Sequence, residues 1–409
     1  MAVEQHQDVG LRRNWLLLGP AFVAAIAYVD PGNVAANVTA GAKFGFLLVW
    51  VILLANVMAG LVQYLSAKLG LVTGQSLPQA IGARMRRPTR LAYWAQAELV
   101  AMATDLAEVV GGALALYLLF DLPLLVGGAI TGAVSLLLLV VQDQRGQSTF
   151  ERVITGLLLV IAIGFLTSLF VNPPSPDQVL GGVVPRFHGT DSVLLATAML
   201  GATVMPHAVY LHSGLTRDRH GHPEGPRRAL LLRMTKWDVG LAMVVAGTIN
   251  MAMLLVAATN LQGRKDTDTI EGAHAAVRDT LGPTVALFFA IGLLASGLAS
   301  TSVGAYAGAM IMAGLLHRAI PLVLRRLVTL IPALIILAIG VDPTRALVFS
   351  QVVLSFGIPF ALIPLVRLTS DATLMGEDVN HRVTTLLGWL VAGLISLLNV
   401  GLLYLTVAG

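Results

Sequence analysis

Long apolar runs separated by short polar connections make up most of the chain, and nearly all the runs fall in one size class. A helix needs roughly 18 apolar residues or more to cover ~30 Å of hydrocarbon. Eleven segments meet that requirement, at about 15–41, 46–67, 92–120, 122–141, 150–171, 191–215, 237–259, 282–316, 321–340, 344–366 and 383–407. The pattern predicts an all-α polytopic membrane protein with eleven transmembrane helices, forming one transmembrane domain over 1–409. The longest connections, about 67–91, 172–190, 216–236 and 260–281, contain proline, glycine and charge and read as loops or short surface helices, not as a soluble domain.

Two of the apolar segments are interrupted. The first holds "YVDPGN", residues 28–33, where Pro31 removes a backbone donor and Gly32 relaxes the chain, so the helix should split near Asp30. The sixth holds "GATVMPHAVYLHS", residues 201–213, where Pro206 deprives the carbonyls around Ala202 of their usual donor. Unwound backbone at membrane depth survives only where protein or a wet cavity surrounds it. The breaks lie five segments apart, the sign of a 5+5 inverted-repeat transporter whose binding site lies at the bilayer midplane. Repeat one would cover about 15–171, repeat two about 191–366, and an additional helix about 383–407.

Composition excludes a water-soluble protein, with 56% hydrophobic residues, 12% charged and a mean hydropathy of +0.81. The first segment is too long for a cleavable signal, lacks a small-residue cleavage site and has its polar motif in the middle. Of the 26 Lys and Arg, 20 fall in the amino-terminal arm and the even-to-odd connections, and six (Lys43, Arg186, Arg264, Lys265, Arg278 and Arg345) on the opposite side. That asymmetry predicts a multi-pass plasma-membrane protein with a cytoplasmic N-terminus and an extracytoplasmic C-terminus. The same basic loops facing anionic headgroups account for the net charge of +4, so no nucleic-acid partner is implied. With no cysteine there is neither a disulfide framework nor a thiolate metal site.

The breaks collect a distinctive set of donors. Asp30 offers a carboxylate, Asn33 an amide oxygen, the backbone at Ala202 a carbonyl, and Met205 a thioether. A carboxylate in a spanning segment costs ~2.5–3.5 kcal/mol on insertion scales and is functional by default. The oxygen donors suit a divalent cation, and the sulfur favours later first-row metals over magnesium and calcium. A second feature lies in "AELVAMATDLAEVVG", where Glu98, Asp105 and Glu108 fall within about 80° of one another on a helix, an acidic stripe in an apolar segment. Such carboxylates must pair with cations or share protons. Arg219 and Arg326 are the candidate cations, and the readings are a proton route or a static buried network. His207 and His212, five residues apart, point about 140° away from each other and cannot form a two-histidine metal face. His207, at the break, suits hydrogen bonding or proton movement. The small-residue stretch "ASGLASTSVGAYAGAMIMAG" of the eighth segment predicts close helix packing.

"DPGN", "ATDLAEV", "GATVMPH...YLHS", "SQVVLS" followed by "PFALIPL", and "TSD..LMG" occur in this order over nearly the whole chain. Together they resemble the Nramp family (natural-resistance-associated macrophage proteins) of proton-coupled manganese and iron transporters. The resemblance implies a LeuT-like fold of eleven helices and a metal site at Asp30, Asn33, the Ala202 carbonyl and Met205, with Gln351 and Asn250 completing the shell in some states of the cycle. It also implies a proton path through Asp105, Glu108, Arg219 and Arg326, distinct from the metal path, with Asp30 coupling the two. The implied substrates are Mn2+ or Fe2+ with H+; no resident cofactor, enzymatic activity or obligatory protein partner is implied. One departure is Ala208, where an asparagine is common in the family. The alternatives are a carrier of the same fold with another cargo, magnesium or an amino acid, and a membrane metalloenzyme. Met205 and Asp30 weigh against the first, and the lack of an HExxH-type cluster against the second.

Overall fold

A computed structural model describes residues 19–145, 147–264, 266–316 and 321–408, all helical apart from turns and short connections. The longer helices are α1 (Pro20–Ile26), α2 (Pro31–Phe44), α3 (Val49–Thr73), α4 (Arg87–Phe120), α5 (Leu124–Arg145), α6 (Gln147–Val171) and α7 (Gly189–Thr203). They continue with α8 (Pro206–His220), α9 (Gly225–Asn260), α10 (Ile270–Leu281), α11 (Pro283–Leu315), α12 (Leu322–Ala338), α13 (Pro343–Thr369) and α14 (Arg382–Ala408). Proline stands in the first turn of several of these helices, where its missing N–H has no intrahelical partner to lose.

Both anticipated interruptions are present. After α1 a turn of 3-10 helix (Ala27–Val29) leads to Asp30, whose extended backbone (φ −70°, ψ 168°) caps α2. The second lies at Val204 (φ −105°, ψ 52°) and Met205 (φ −59°, ψ 124°), between α7 and α8. Eight helical stretches among the described residues are long and apolar enough to cross a membrane, one of them, Pro31–Thr73, uniting α2 and α3. Among the described residues, Pro20–Val29, which ends at the break, and Leu124–Leu137 are shorter apolar helices. The membrane-spanning class is therefore established, and the helix limits run beyond the apolar segments at several ends, as in α9, which starts at Gly225.

Small residues set the packing. The α11 stretch predicted to permit close approach lies against α4, with Gly297 beside the backbone of Gly112 and Glu108. The same helix makes room for charge. A β-carbon at Gly304 would lie 2.8 Å from a Glu108 carboxylate oxygen, and one at Gly308 would occupy the Arg325 guanidinium. Gly111 of α4 lets Pro31 of the first break rest on that helix, which brings the acidic stripe beside the break.

Arg325 and Arg326 are counted among the loop charges, yet both are buried within α12 and ion-paired, Arg326 with the stripe for which it is a candidate cation. Charge sign is readable from sequence, but depth in the bundle is not. Arg12, Arg13, Lys265 and Arg318, which also enter the charge asymmetry, lie outside the described residues, as do residues 15–18 of the first apolar segment.

Candidate metal site and charged network

The first break places a carboxylate where the second leaves a carbonyl. Asp30 has no solvent exposure. One of its oxygens accepts from the Asn33 backbone N–H at 2.7 Å and from Asn33 Nδ2 at 3.0 Å. The other accepts from Gln351 Nε2 of α13 at 3.3 Å. Asn33 Nδ2 also donates to the Ala202 carbonyl at 2.9 Å, so the group freed by Pro206 is held by the opposite break. Met205, fully buried, is the cap residue immediately before α8. Asp30, Asn33, Ala202 and Gln351 are thus joined in one hydrogen-bonded cluster.

The amide groups at this cluster spend their N–H donors on Asp30, Ala202 and the Ser350 hydroxyl, and their oxygens have no protein donor: Asn33 Oδ1 and Gln351 Oε1 are buried without a hydrogen-bond partner. Buried oxygens without donors are costly, and beside a carboxylate and a main-chain carbonyl they offer the oxygen-rich donors a dication takes. Among the described residues no three His, Cys, Asp or Glu side chains gather into a metal-holding group. Any dication here would take mixed donors.

Asn250 plays a different part in this conformation. Its Nδ2 donates to the Tyr28 carbonyl at 2.7 Å, and its Oδ1 accepts from Asn37 Nδ2 at 2.9 Å. Ser296 of α11 donates to the Val29 carbonyl at 2.5 Å. The carbonyls exposed by the first break are therefore satisfied by side chains of α9 and α11. Asn37 and Ser296 escaped the sequence reading because neutral polar residues in apolar helices carry no signal as strong as charge. The asparagines at 33 and 37, four apart on one helix face, are the pattern that could have found the first.

The acidic stripe meets its cations. Arg326 forms an ion pair with Asp105, lies 3.5 Å from a Glu108 oxygen, and donates to Ser135 at 3.0 Å and Thr301 at 3.3 Å. Arg325 pairs with Glu98 at 3.2 Å. Oxygens of Glu98, Asp105 and Glu108 nevertheless remain buried without a partner. His207 Nδ1 lies 3.3 Å from the Thr104 hydroxyl on α4, within the fields of Asp105 and Arg325, and Glu108 lies within that of Asp30. Through Thr104, the second break thus touches α4 one residue from Asp105. Arg219 lies in the last turn of α8, within the field of Asp238 of α9. His212 faces the other way, 2.7 Å from Gln63 Oε1, and Gln63 in turn donates to the Tyr28 hydroxyl.

A cavity of about 520 Å³ opens beside α2, α7 and α13. Asp191, Asp266, Asp268 and Asp342 line it with two cations, Arg345 and Lys43, the latter paired with Asp268 at 3.6 Å, so the lining keeps a net negative charge; Leu195 and Val348, also in the wall, lie seven residues before Ala202 and three before Gln351. Helical rise carries these walls toward the Asp30 cluster. None of the four aspartates was singled out from sequence, since each sits in a polar connection or at a helix end, where an acidic residue is ordinary.

A family profile described as "Natural resistance-associated macrophage protein-like" matches residues 21–405. The divalent metal cation transporter MntH of Mycobacterium tuberculosis (strain CDC 1551 / Oshkosh) is 71% identical over 406 residues, spanning 99% of this chain and 95% of the relative. The crystal structure of the Eremococcus coleocola manganese transporter, in complex with an aromatic bis-isothiourea substituted compound, is 32% identical. It superposes with a TM-score of 0.84 over 93% of this chain and 84% of that one. The structure of MhsT in complex with L-phenylalanine shares the fold at 12% identity, with a TM-score of 0.57 over 95% of this chain and 97% of that one.

Proposed function

The chain belongs to the Nramp family, and from that premise we propose that it carries divalent transition metal ions, manganese and iron, into the cytoplasm together with protons by alternating access. The observation that carries the reading is the buried cluster at the paired breaks: the Asp30 carboxylate, two amide oxygens without donors, the Ala202 carbonyl, and Met205 beside it. The likeness to metal cation transporters at high identity supports the cargo class. The fold reading counts eleven crossings. α1 with α2 and α7 with α8 are the broken ones, α3, α4, α5, α6, α9, α11, α12 and α13 complete the two five-helix repeats, and α14 is the addition.

In this reading the four-aspartate cavity is the outer vestibule and the N-terminus is cytoplasmic. A hydrated dication is drawn to the vestibule by its charge, sheds part of its shell, and takes oxygen ligands from Asp30, Asn33, Ala202 and Gln351 and sulfur from Met205. Asp30 gives up its hydrogen bonds from Asn33 and Gln351 as the ion arrives, which turns their amide oxygens inward. Asn250, engaged with Tyr28 and Asn37 here, joins the shell only after the break moves. Protons leave by His207 toward Asp105, Glu108 and Arg326, with Glu98 of α4 and its partner Arg325 of α12 one step further. Arg219, paired electrostatically with Asp238, lies off that line.

The test is manganese uptake into proteoliposomes that contain a pH reporter. Asp30→Ala abolishes uptake, whereas Asp105→Ala leaves uptake measurable but detaches it from internal acidification. Equal loss of both signals in both variants would contradict separate routes.

A further inference from the structure

Between α4, α12 and α13 runs a groove of about 510 Å³, and its residues Arg345 and Phe349 also line the four-aspartate cavity. Its walls are Leu99 and Leu106 of α4, Pro332 and Ile336 of α12, and Phe349 and Val353 of α13; Arg345 and Ser350 are polar. Leu99 and Phe349 are 59% and 66% exposed, so apolar surface faces outward along the groove. In a membrane that surface meets acyl chains.

Arg345, the third residue of α13, belongs to the end of a crossing, where a long basic side chain reaches the headgroups. Val353 lies eight residues on, about 12 Å deeper along the helix. The groove therefore has a cation at headgroup depth and an apolar trough leading toward the bilayer centre. Arg345 makes no ion pair among the described residues, and one oxygen of Asp342 accepts the Arg345 backbone N–H at 2.7 Å.

We propose that this groove is a specific seat for one anionic phospholipid, its phosphate held by the Arg345 guanidinium and one acyl chain lying between α4, α12 and α13. A guanidinium matches a phosphate in charge and in bidentate geometry, and basic pockets between membrane helices recognise lipid headgroups on those grounds. A zwitterionic headgroup adds its own cation beside Arg345 and fits less well.

The seat touches the metal cluster through one residue. Ser350 lines the groove, its hydroxyl accepts from Gln351 Nε2 at 3.3 Å, and the same amide nitrogen donates to Asp30. A lipid filling the trough braces α13 in the register that keeps Gln351 against Asp30. Lipid retention does not rest on the transport reading, so the two can fail separately.

Native mass spectrometry of the full chain, released from vesicles of phosphatidylcholine with phosphatidylglycerol, tests the seat. The wild type retains one phosphatidylglycerol in about fivefold preference over phosphatidylcholine, the scale of one arginine at an anionic surface. Arg345→Gln keeps a lipid but loses the preference. Ala103→Phe, which projects into the groove, and Ala346→Phe, which fills it from α13, lose the lipid while eluting as the wild type does on size exclusion. Manganese uptake by the wild type is faster in vesicles containing phosphatidylglycerol, and the two groove-filling variants are insensitive to that lipid. Equal retention of both lipids by the wild type, undiminished retention by both filled variants, or a lipid-free dimer burying Leu99 and Phe349 would each overturn the proposal.

Discussion

Sulfur enters the break between α7 and α8 through Met205, whose side chain is fully buried and so cannot be traded for water without opening a gap. Oxygen ligands alone suit calcium and magnesium as well as they suit manganese; a thioether penalises the two harder ions, which hold oxygen and water more firmly. Met205→Ala should leave the Asp30 carboxylate and the amide oxygens in place and remove only that penalty. Calcium then inhibits manganese uptake at a concentration lower by about tenfold, the equivalent of ~1.4 kcal/mol. Competition curves measured in the same vesicles check this, and unchanged curves would refute the sulfur argument. Asn37 shows how a residue outside the cluster can still set it. By holding the Asn250 oxygen, it leaves the Asn250 amide free to pin the Tyr28 carbonyl two residues from Asp30.

At the scale of elements, α11 does more than pack closely against α4. Its glycines are the spaces into which the charges of neighbouring helices fit: Gly304 faces Glu108 and Gly308 faces the guanidinium of Arg325. Gly308→Ala makes this visible, because alanine favours a helix over glycine by about 1 kcal/mol and should not weaken α11 itself. Its methyl group instead displaces the end of Arg325 from Glu98, now 3.2 Å away. The expected result is a several-fold fall in proton movement per metal, read by the internal pH reporter, with manganese affinity by calorimetry within about twofold of the wild type, because the Asp30 cluster lies elsewhere. A parallel loss of metal affinity would mean that α11 transmits strain to the break and does not act through Arg325.

For the whole molecule, the bilayer explains what could be read from the chain and what could not. Hydrocarbon forces apolar runs of fixed length and forbids unpaired backbone, so the helix positions, the breaks at Asp30 and Met205 and the acidic stripe on α4 were legible in residue type and spacing. Which cation meets which carboxylate depends on how α12 sits against α4, and no local pattern encodes that; sequence position alone therefore makes Arg325 a loop charge, where the structure pairs it with Glu98. The network's central member tests whether this arrangement serves the fold or the function. Arg326 is 1% exposed and joins four helices, meeting Asp105 and Glu108 on α4, Ser135 on α5 and Thr301 on α11 from its place on α12. Arg326→Met leaves two buried carboxylates without their cation, a loss of about 3–5 kcal/mol for a broken buried pair, which lowers the unfolding temperature in detergent. Combining it with Asp105→Asn and Glu108→Gln removes the uncompensated charge and should recover most of that stability, since a buried ion pair replaced by neutral groups of similar size is often close to neutral. If the network only cements helices, the triple variant transports protons with metal as the wild type does. If it carries protons, the triple variant is stable, binds manganese, and moves it without acidifying the vesicle interior, and that dissociation of stability from coupling is the outcome expected from a stripe that packs against both breaks, at Gly111 on Pro31 and at Thr104 on His207.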